Sequence, residues 1–171
     1  MIKKHLFAAT ALLTISIGVA GCTNPPAPAE HPNTNALLTW QQAKASTQQR
    51  AQEIAALVPA AQVVNVESKD TGVLLSCTST KHSWNGWVIM TVTSDTDVRA
   101  VIESIGSHFE GSTFQVATDN DIEGDLRVQL VAADGEESYL VSQDADPNLI
   151  RISGSSACFT LPDGVYPGGD F

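Results

Sequence analysis

The composition of this 171-residue chain indicates one small acidic domain. Its formal net charge is −10, 43% of its residues are hydrophobic, and it has three cysteines. The length suits a single domain, and the excess of acidic residues argues against binding to a nucleic-acid backbone. Collagen, a coiled coil, a multi-pass membrane protein and a disulfide-dense mini-protein are also excluded. Because three cysteines cannot all pair with one another, one of them needs a separate explanation.

The first 21 residues have the composition of a secretory signal. Lys3 and Lys4 give a basic start, and an uncharged, mostly apolar segment follows at 6–20. That segment is shorter than the roughly 20 residues that a helix needs to cross a bilayer, but it fits the apolar region of a signal peptide. We therefore predict export from the cytoplasm and removal of residues 1–21.

The signal ends in Val19-Ala20-Gly21-Cys22. This sequence resembles the lipobox of bacterial lipoproteins, with Val19 as a mild departure. The resemblance implies cleavage after Gly21, a diacylglyceryl thioether on Cys22 and a further acyl chain, such as palmitate, on the new amino terminus. Two or three chains anchor firmly, since each buried CH₂ contributes about 0.8 kcal/mol. It thus implies a lipid anchor in the cell membrane, with the protein on the extracytoplasmic face. The alternatives are an ordinary secretory signal and an uncleaved membrane helix.

Residues 22–33 follow as a tether that contains four prolines. Such a segment favours an extended chain of about 3 Å per residue, although a packed terminal arm is the alternative. We expect 34–171 to form a single domain. Loss of the signal removes two lysines and no acidic residue, so the net charge changes from −10 to −12.

Two cysteines remain once Cys22 is lipidated, Cys77 and Cys158. Disulfides persist outside the cytoplasm, so we expect these two residues to pair. The bond would close a loop of about 80 residues, which the chain-entropy model values at roughly 4 kcal/mol. Two buried free thiols are the alternative. Two cysteines without a histidine pattern make a poor zinc site, and we predict no metal.

A helix is predicted at 35–58, where apolar residues recur on one face. Asn33 or Thr34 can cap its start, and Pro59 ends it. The apolar positions are Leu37, Leu38, Ala45, Ala51, Ile54, Ala55 and Val58.

Two strands are predicted after this helix, at 62–67 and 73–80. Asn85-Gly86 then predicts a two-residue hairpin turn, because both central residues of a type I′ turn need positive φ. In that register Trp84 lies opposite Trp87. The same register places Cys77 on the apolar, buried face.

A second helix is predicted at 98–109, with an acidic residue at its positive end. Asp134-Gly135 predicts another hairpin turn, which aligns Leu130 with Tyr139. The remaining predicted strands are 113–118, 126–133, 137–142 and 149–153. Tight hairpins require antiparallel pairing, and two helices can cover one face of such a sheet. The predicted fold class is therefore α+β: a two-layer sandwich, with two helices packed on one face of an antiparallel sheet.

The acidic segment 119–125 superficially follows the calcium-loop pattern. Leu130 stands where that loop needs a bidentate glutamate, and Arg127 occupies another ligand position. We interpret the segment as an acidic turn between two strands. A weak cation site is the alternative.

Trp84 and Trp87, with His82 nearby, are candidates for an exposed platform that stacks on a sugar or peptide ligand, since aromatic faces supply contact area at low entropy cost. The alternative is a cross-strand aromatic pair that stabilises the hairpin or packs beneath the first helix.

No catalytic constellation is recognisable, so we expect no enzyme activity and no cofactor. Nucleophilic catalysis needs a base held beside the nucleophile. His31 lies in the tether, His82 near the hairpin, and His108 in the last turn of the second helix, where it complements the helix dipole. Residues 153–156 are interpreted as a small polar loop without a catalytic motif.

Four segments together resemble a known group of proteins: the lipobox, the Thr-Trp-Gln-Gln-Ala-Lys sequence at 39–44, Leu-Leu-Ser-Cys at 74–77, and the ending at 157–171. Over its whole length the chain resembles small uncharacterised lipoproteins of actinobacteria. The resemblance implies an extracytoplasmic location and a pair formed by Cys77 and Cys158. It names no activity and supplies no catalytic residue.

The leading hypothesis is a membrane-anchored, non-enzymatic module that binds a protein partner, an envelope component or a small ligand. An envelope hydrolase with an unrecognised site is one alternative, and a structural or chaperone partner of an envelope system is another. A strongly perturbed carboxylate or histidine in a cleft would favour the hydrolase. An exposed apolar patch at the tryptophans would favour binding.

Overall fold

The first helix, α1, spans Trp40–Ala55 in the computed structural model, which describes residues 37–171. A capping box starts it: the Thr39 hydroxyl accepts a hydrogen bond from the Gln42 N–H at 3.2 Å, and Gln42 Oε1 accepts one from the Thr39 N–H at 3.0 Å. This reciprocal pair satisfies two N–H groups that the first turn leaves free. The helix therefore starts later than the predicted residue 35. The proposed caps Asn33 and Thr34 lie outside the described residues.

Seven strands and a second helix follow α1. In chain order they are β1 (Val63–Ser68), β2 (Val73–Ser76), β3 (His82–Val92), α2 (Val98–Phe109), β4 (Phe114–Asn120), β5 (Leu126–Ala132), β6 (Ser138–Gln143) and β7 (Leu149–Ser155), with a short 3₁₀ helix at Ala60–Gln62 before β1. Each predicted helix and strand has a counterpart here, with bounds that differ by a few residues.

All seven strands join one antiparallel sheet, in the order β1-β3-β7-β6-β5-β4. The short strand β2 pairs with the first residues of β3, on the same side as β1. The last strand, β7, thus lies in the middle of the sheet between β3 and β6. The two helices pack against the sheet, which confirms the predicted α+β fold class.

The main core lies between the helices and one face of the sheet. On α2 the predicted apolar stripe is confirmed, because four of its members are buried: Val98, Val101, Ile102 and Ile105. On the sheet, alternate residues of β3, β5 and β7 belong to the same core cluster: Val88, Met90, Val92, Val128, Leu130, Ile150 and Ile152. None of the helices within residues 37–171 is long and apolar enough to cross a membrane.

A second core cluster lies between the start of α1 and the C-terminal segment. Trp84, Ala43 and Phe159 are its buried members. The Trp84 indole N–H donates to the carbonyl oxygen of Phe171 at 3.2 Å, and the ring of Phe171 packs edge-on against Trp40 at 5.4 Å. The carboxyl end of the chain is therefore held against the domain.

The predicted hairpin turn at Asn85-Gly86 is wrong. Strand β3 runs through both residues, and the residues that join β2 to β3 are 77–81. Gly86 has no positive φ, and a Cβ atom added to it would lie 2.1 Å from Cη2 of Trp84. The glycine therefore makes room for the indole ring and forms no turn.

The side chain of Thr78 stabilises the turn between β2 and β3. Its hydroxyl accepts hydrogen bonds from the N–H groups of Thr80 and Lys81, at 3.2 and 3.1 Å. Threonine closes tight turns in this way, in competition with strand pairing. The second predicted hairpin is confirmed, with Gly135 at φ +73° and Leu130 paired with Tyr139.

Cys77 and Cys158 form the predicted disulfide, with their Cα atoms 6.4 Å apart. The prediction that Cys77 is buried is wrong, because β2 ends at Ser76 and both cysteines are exposed. Cys158 directly precedes Phe159, which bridges to His82 at the start of β3. The bond thus fastens the C-terminal segment to the β2–β3 turn.

Candidate functional site

The face of the sheet opposite the helices is covered by no element of residues 37–171, and we call it the open face. Side chains of alternate strand residues reach it, because successive residues point to opposite faces. One row of cross-strand neighbours on the open face consists of Trp87, Ser153, Leu140, Gln129 and Ala117. The row therefore carries one aromatic ring, the aliphatic side chains of Leu140 and Ala117, and the polar side chains of Ser153 and Gln129.

The two candidate tryptophans lie on opposite faces of the sheet. They are three residues apart on β3 and do not face each other across a hairpin, so the predicted pairing of the two indoles is wrong. Trp84 is only 1% exposed, in the second core cluster, and is not available to a ligand. Trp87 is half-buried on the open face. Of the predicted platform, Trp87 is the member that a ligand can reach.

The ring of Trp87 contacts a pair of charged groups. The guanidinium carbon of Arg151 lies 5.2 Å from the centroid of the ring, a cation–π contact. Asp144 Oδ2 accepts a hydrogen bond from Arg151 at 2.7 Å. Asp144 therefore holds the guanidinium that contacts the indole.

A shallow depression lies beside Trp87, which we call the serine depression. Its volume is about 320 Å³, and its lining comes from β3, β7, β6 and, through Val73, β2. Its side-chain lining includes Asn85, Trp87, Ser138, Leu140, Ser153 and Ser155. Arg151 is not among the lining residues. The depression combines four polar side chains with one aromatic wall and the aliphatic side chains of Leu140 and Val73.

A second depression of about 300 Å³ lies on the other side of Leu140 and reaches β4. Arg127 and Asp119 line it and form an ion pair, with Nη2 and Oδ2 2.6 Å apart. Hydrogen bonding from Arg127 lowers the pKa of the Asp119 carboxyl. Since each charge is already paired within the chain, this depression offers less unused bonding capacity than the serine depression.

The acidic segment between β4 and β5 is a turn, as predicted. The carboxylate of Asp121 accepts hydrogen bonds from the N–H groups of Glu123 and Asp125, at 2.9 and 3.0 Å, and Gly124 has φ +92°. One carboxylate oxygen from each of three residues lies within 4.8 Å of the other two: Asp121, Glu123 and Asp125. Hydrogen bonds within the domain account for the placement of these acidic residues. The backbone of the turn donates to Asp121, and Gln143 donates to Asp125 at 3.1 Å.

The histidines of the described chain lie apart from the serine depression. His82 begins β3 and bridges to Phe159, while His108 is exposed in the last turn of α2, as predicted. Nδ1 of His82 is buried and has no hydrogen-bond partner within residues 37–171. His31 and the lipidation candidate Cys22, like the whole of residues 1–36, lie outside the described residues.

The serines of the depression were missed by sequence analysis. Residues 153–156 do not form a loop, because β7 extends to Ser155. Their alternation of serine and glycine is a period-two pattern, with Ser153 and Ser155 on the open face and Gly154 on the core face. A Cβ on Gly154 would lie 2.7 Å from Cγ2 of Thr47, so α1 requires a glycine there. That alternation is the signal that could have identified a strand.

Together the fold and the open face define a two-layer α+β domain with one accessible sheet face. No family model and no curated protein matches the sequence. Among solved structures, the chain is similar to LppA from Mycobacterium tuberculosis, named as a lipoprotein, with 10% sequence identity and a TM-score of 0.42 over 75% of this chain and 83% of that one. A similarity of this size supports no conclusion about function.

Proposed function

We propose that the protein is a lipid-anchored, non-enzymatic binding module on the extracytoplasmic face of the cell membrane, and that it holds its ligand on the open face around Trp87. The observation that carries the proposal is the open face itself. A two-layer fold leaves one sheet face accessible, and this face presents an aromatic ring that contacts Arg151, which is itself paired with Asp144. Aromatic side chains beside polar groups that can hydrogen-bond to a ligand are typical of binding surfaces.

The lipid anchor in this proposal rests on the sequence. The lipobox ends at Cys22, and the first described residue, Leu37, follows within 15 residues. The disulfide between Cys77 and Cys158 supports an oxidising location, because such bonds persist outside the cytoplasm. A domain fastened in this way meets ligands of the cell envelope or of the medium.

Site-directed photo-cross-linking tests whether the open face is the binding surface. A benzophenone amino acid replaces Leu140 in the full-length protein, expressed in cells of the organism that encodes it. The matched control carries the same amino acid at Ser107, an exposed position of α2. We expect an adduct from position 140 and none from position 107. Equal yields at the two positions, or no adduct at position 140, would overturn the proposal.

A further inference from the structure

The lining of the serine depression carries no charged side chain, although the chain as a whole is strongly acidic. Its polar groups are the hydroxyls of Ser138, Ser153 and Ser155 and the amide of Asn85. The chain-wide charge of −10 disfavours an anionic ligand, and the lining offers a cation no carboxylate. An uncharged polar ligand therefore fits this surface best.

The hydroxyl groups in the depression have unused hydrogen-bonding capacity. Within residues 37–171, Ser138, Ser153 and Ser155 make no side-chain hydrogen bond, whereas nearby Ser156 is engaged with the N–H of Trp84 at 2.9 Å. Asn85 donates through Nδ2 to Ser83, which leaves its carbonyl oxygen as an acceptor. Each serine hydroxyl can both donate and accept, so the three match a ligand that also carries several hydroxyls.

An extended peptide fits the depression poorly. Peptides that add to a sheet use main-chain hydrogen bonds at a strand edge. Strands β7 and β6 are each flanked by strands on both sides, so their backbone N–H and C=O groups are committed to the ladders. Strand β2, whose Val73 also lines the depression, pairs only with β3 among the described strands. A ligand on this face must bond to side chains, which favours a ligand with many hydroxyl groups over one with a peptide backbone.

Trp87 supplies the aromatic contact surface for such a ligand, beside the aliphatic side chains of Leu140 and Val73. Its ring forms one wall, and Arg151, which contacts that ring, is not among the lining residues. Sugar rings carry apolar C–H groups on one side and hydroxyls around the rim. An indole wall beside three serine hydroxyls provides partners for both kinds of group.

We propose that the serine depression binds an uncharged saccharide, which stacks on Trp87 and hydrogen-bonds to Ser138, Ser153 and Ser155. This inference rests on the proposed function, because it names the ligand class of the same open face. The volume of about 320 Å³ accommodates one or two sugar rings, so the site fits part of a longer glycan or its end.

Titration of the full-length lipoprotein in detergent micelles tests the inference, with the indole N–H resonance of Trp87 as the reporter in nuclear magnetic resonance spectra. The probes are cellohexaose, maltohexaose and short oligomers of the neutral envelope polysaccharides from the organism that encodes the protein. The anionic polysaccharides of the same envelopes form a separate arm. We expect saturable shifts of the Trp87 resonance with at least one neutral probe.

The Trp87→Ala variant is expected to lose at least tenfold in affinity for that probe. Because this variant removes the reporter, its affinity is measured by calorimetry. The matched control is Tyr166→Ala, which removes an aromatic ring that is 79% exposed in the C-terminal segment, and it should bind as the wild type does. A triple Ser→Ala variant at 138, 153 and 155 should weaken binding by a similar factor.

Three results would overturn the inference: no neutral probe binds, only the anionic fraction binds, or the Trp87→Ala variant binds as tightly as the wild type. If one of these results is accompanied by a protein adduct at position 140 in the cross-linking experiment, the saccharide is wrong and the open face remains the binding surface. If position 140 gives no adduct either, the proposed function fails as well.

Discussion

Gly86 and Gly154 pair directly across β3 and β7, on the core face beneath α1. A Cβ on Gly154 would lie 2.7 Å from the Thr47 side chain, and one on Gly86 would lie 2.1 Å from the ring of Trp84. Both distances are shorter than packed carbon atoms tolerate. These two residues therefore set how closely helix and indole approach the sheet.

Gly86→Ala is expected to lower the free energy of unfolding by about 1–3 kcal/mol, because the new methyl group overpacks against Trp84. Chemical denaturation of the purified protein measures the change. The neighbouring change Asn85→Thr should cost less than about 1 kcal/mol, since threonine suits a strand. A large loss from Asn85→Thr, comparable to that of Gly86→Ala, would contradict the strand assignment at this position.

Two of the Asp/Asn-Gly dipeptides, Asn85-Gly86 and Asp134-Gly135, show where local prediction succeeds and where it fails. Gly135 has positive φ and nothing within 4 Å of its added Cβ, so local turn preference decides its conformation. Gly86 also follows an Asx residue, Asn85, but the ring of Trp84 packs against it. The sequence contains no local mark of that packing, which depends on the distant C-terminal segment.

Two elements far apart in the chain meet at the disulfide: the turn after β2 and the segment that follows β7. The bond spans a sequence separation of 81 residues. The C-terminal segment also pairs with the residue before β2, because Gly72 and Phe171 exchange backbone hydrogen bonds at 2.8 and 3.0 Å. The segment closes the second core cluster over Trp84.

Replacement of both cysteines, Cys77→Ala with Cys158→Ala, is expected to lower the free energy of unfolding by about 4 kcal/mol, the loop-closure value for this separation. Urea denaturation with and without reductant measures it. Reductant should destabilise the wild type by a similar amount and leave the double variant unchanged. A loss below about 1 kcal/mol would show that the bond contributes little to the fold.

Periodicity predicted the elements better than it predicted the sheet's accessible surface. The apolar stripe of α2 identified a helix that packs on a core, and alternation identified most strands. Strand β7 extends to Ser155, two residues beyond the predicted end at 153, although glycine is depleted in strands. Its last two residues are Gly154 and Ser155. The close approach of α1 requires a glycine at 154, and Ser155 lies on the open face; local strand propensity reflects neither constraint.

At the scale of the whole molecule, we propose that a lipid anchor holds a domain with one accessible sheet face at the membrane. Cys22→Ser is expected to leave an unlipidated precursor with its signal uncleaved. Phase separation in Triton X-114, mass spectrometry and gel mobility measure this change. The conservative variant Thr23→Ser, which keeps the lipobox, should behave as the wild type does. Unchanged mass and unchanged partition of Cys22→Ser into the detergent phase would exclude lipidation at this residue.

Hydroxyl-radical footprinting in intact cells tests most directly whether the open face is occupied. Oxidation of Trp87 is compared between cells and the purified full-length protein, with buried Trp84 and exposed Tyr166 as internal references. Trp84 should stay unreactive in both samples and Tyr166 equally reactive in both. We expect Trp87 to be protected at least threefold in cells, because its ligand covers the ring there. Equal oxidation of Trp87 in cells and in the purified protein would contradict a ligand on the open face.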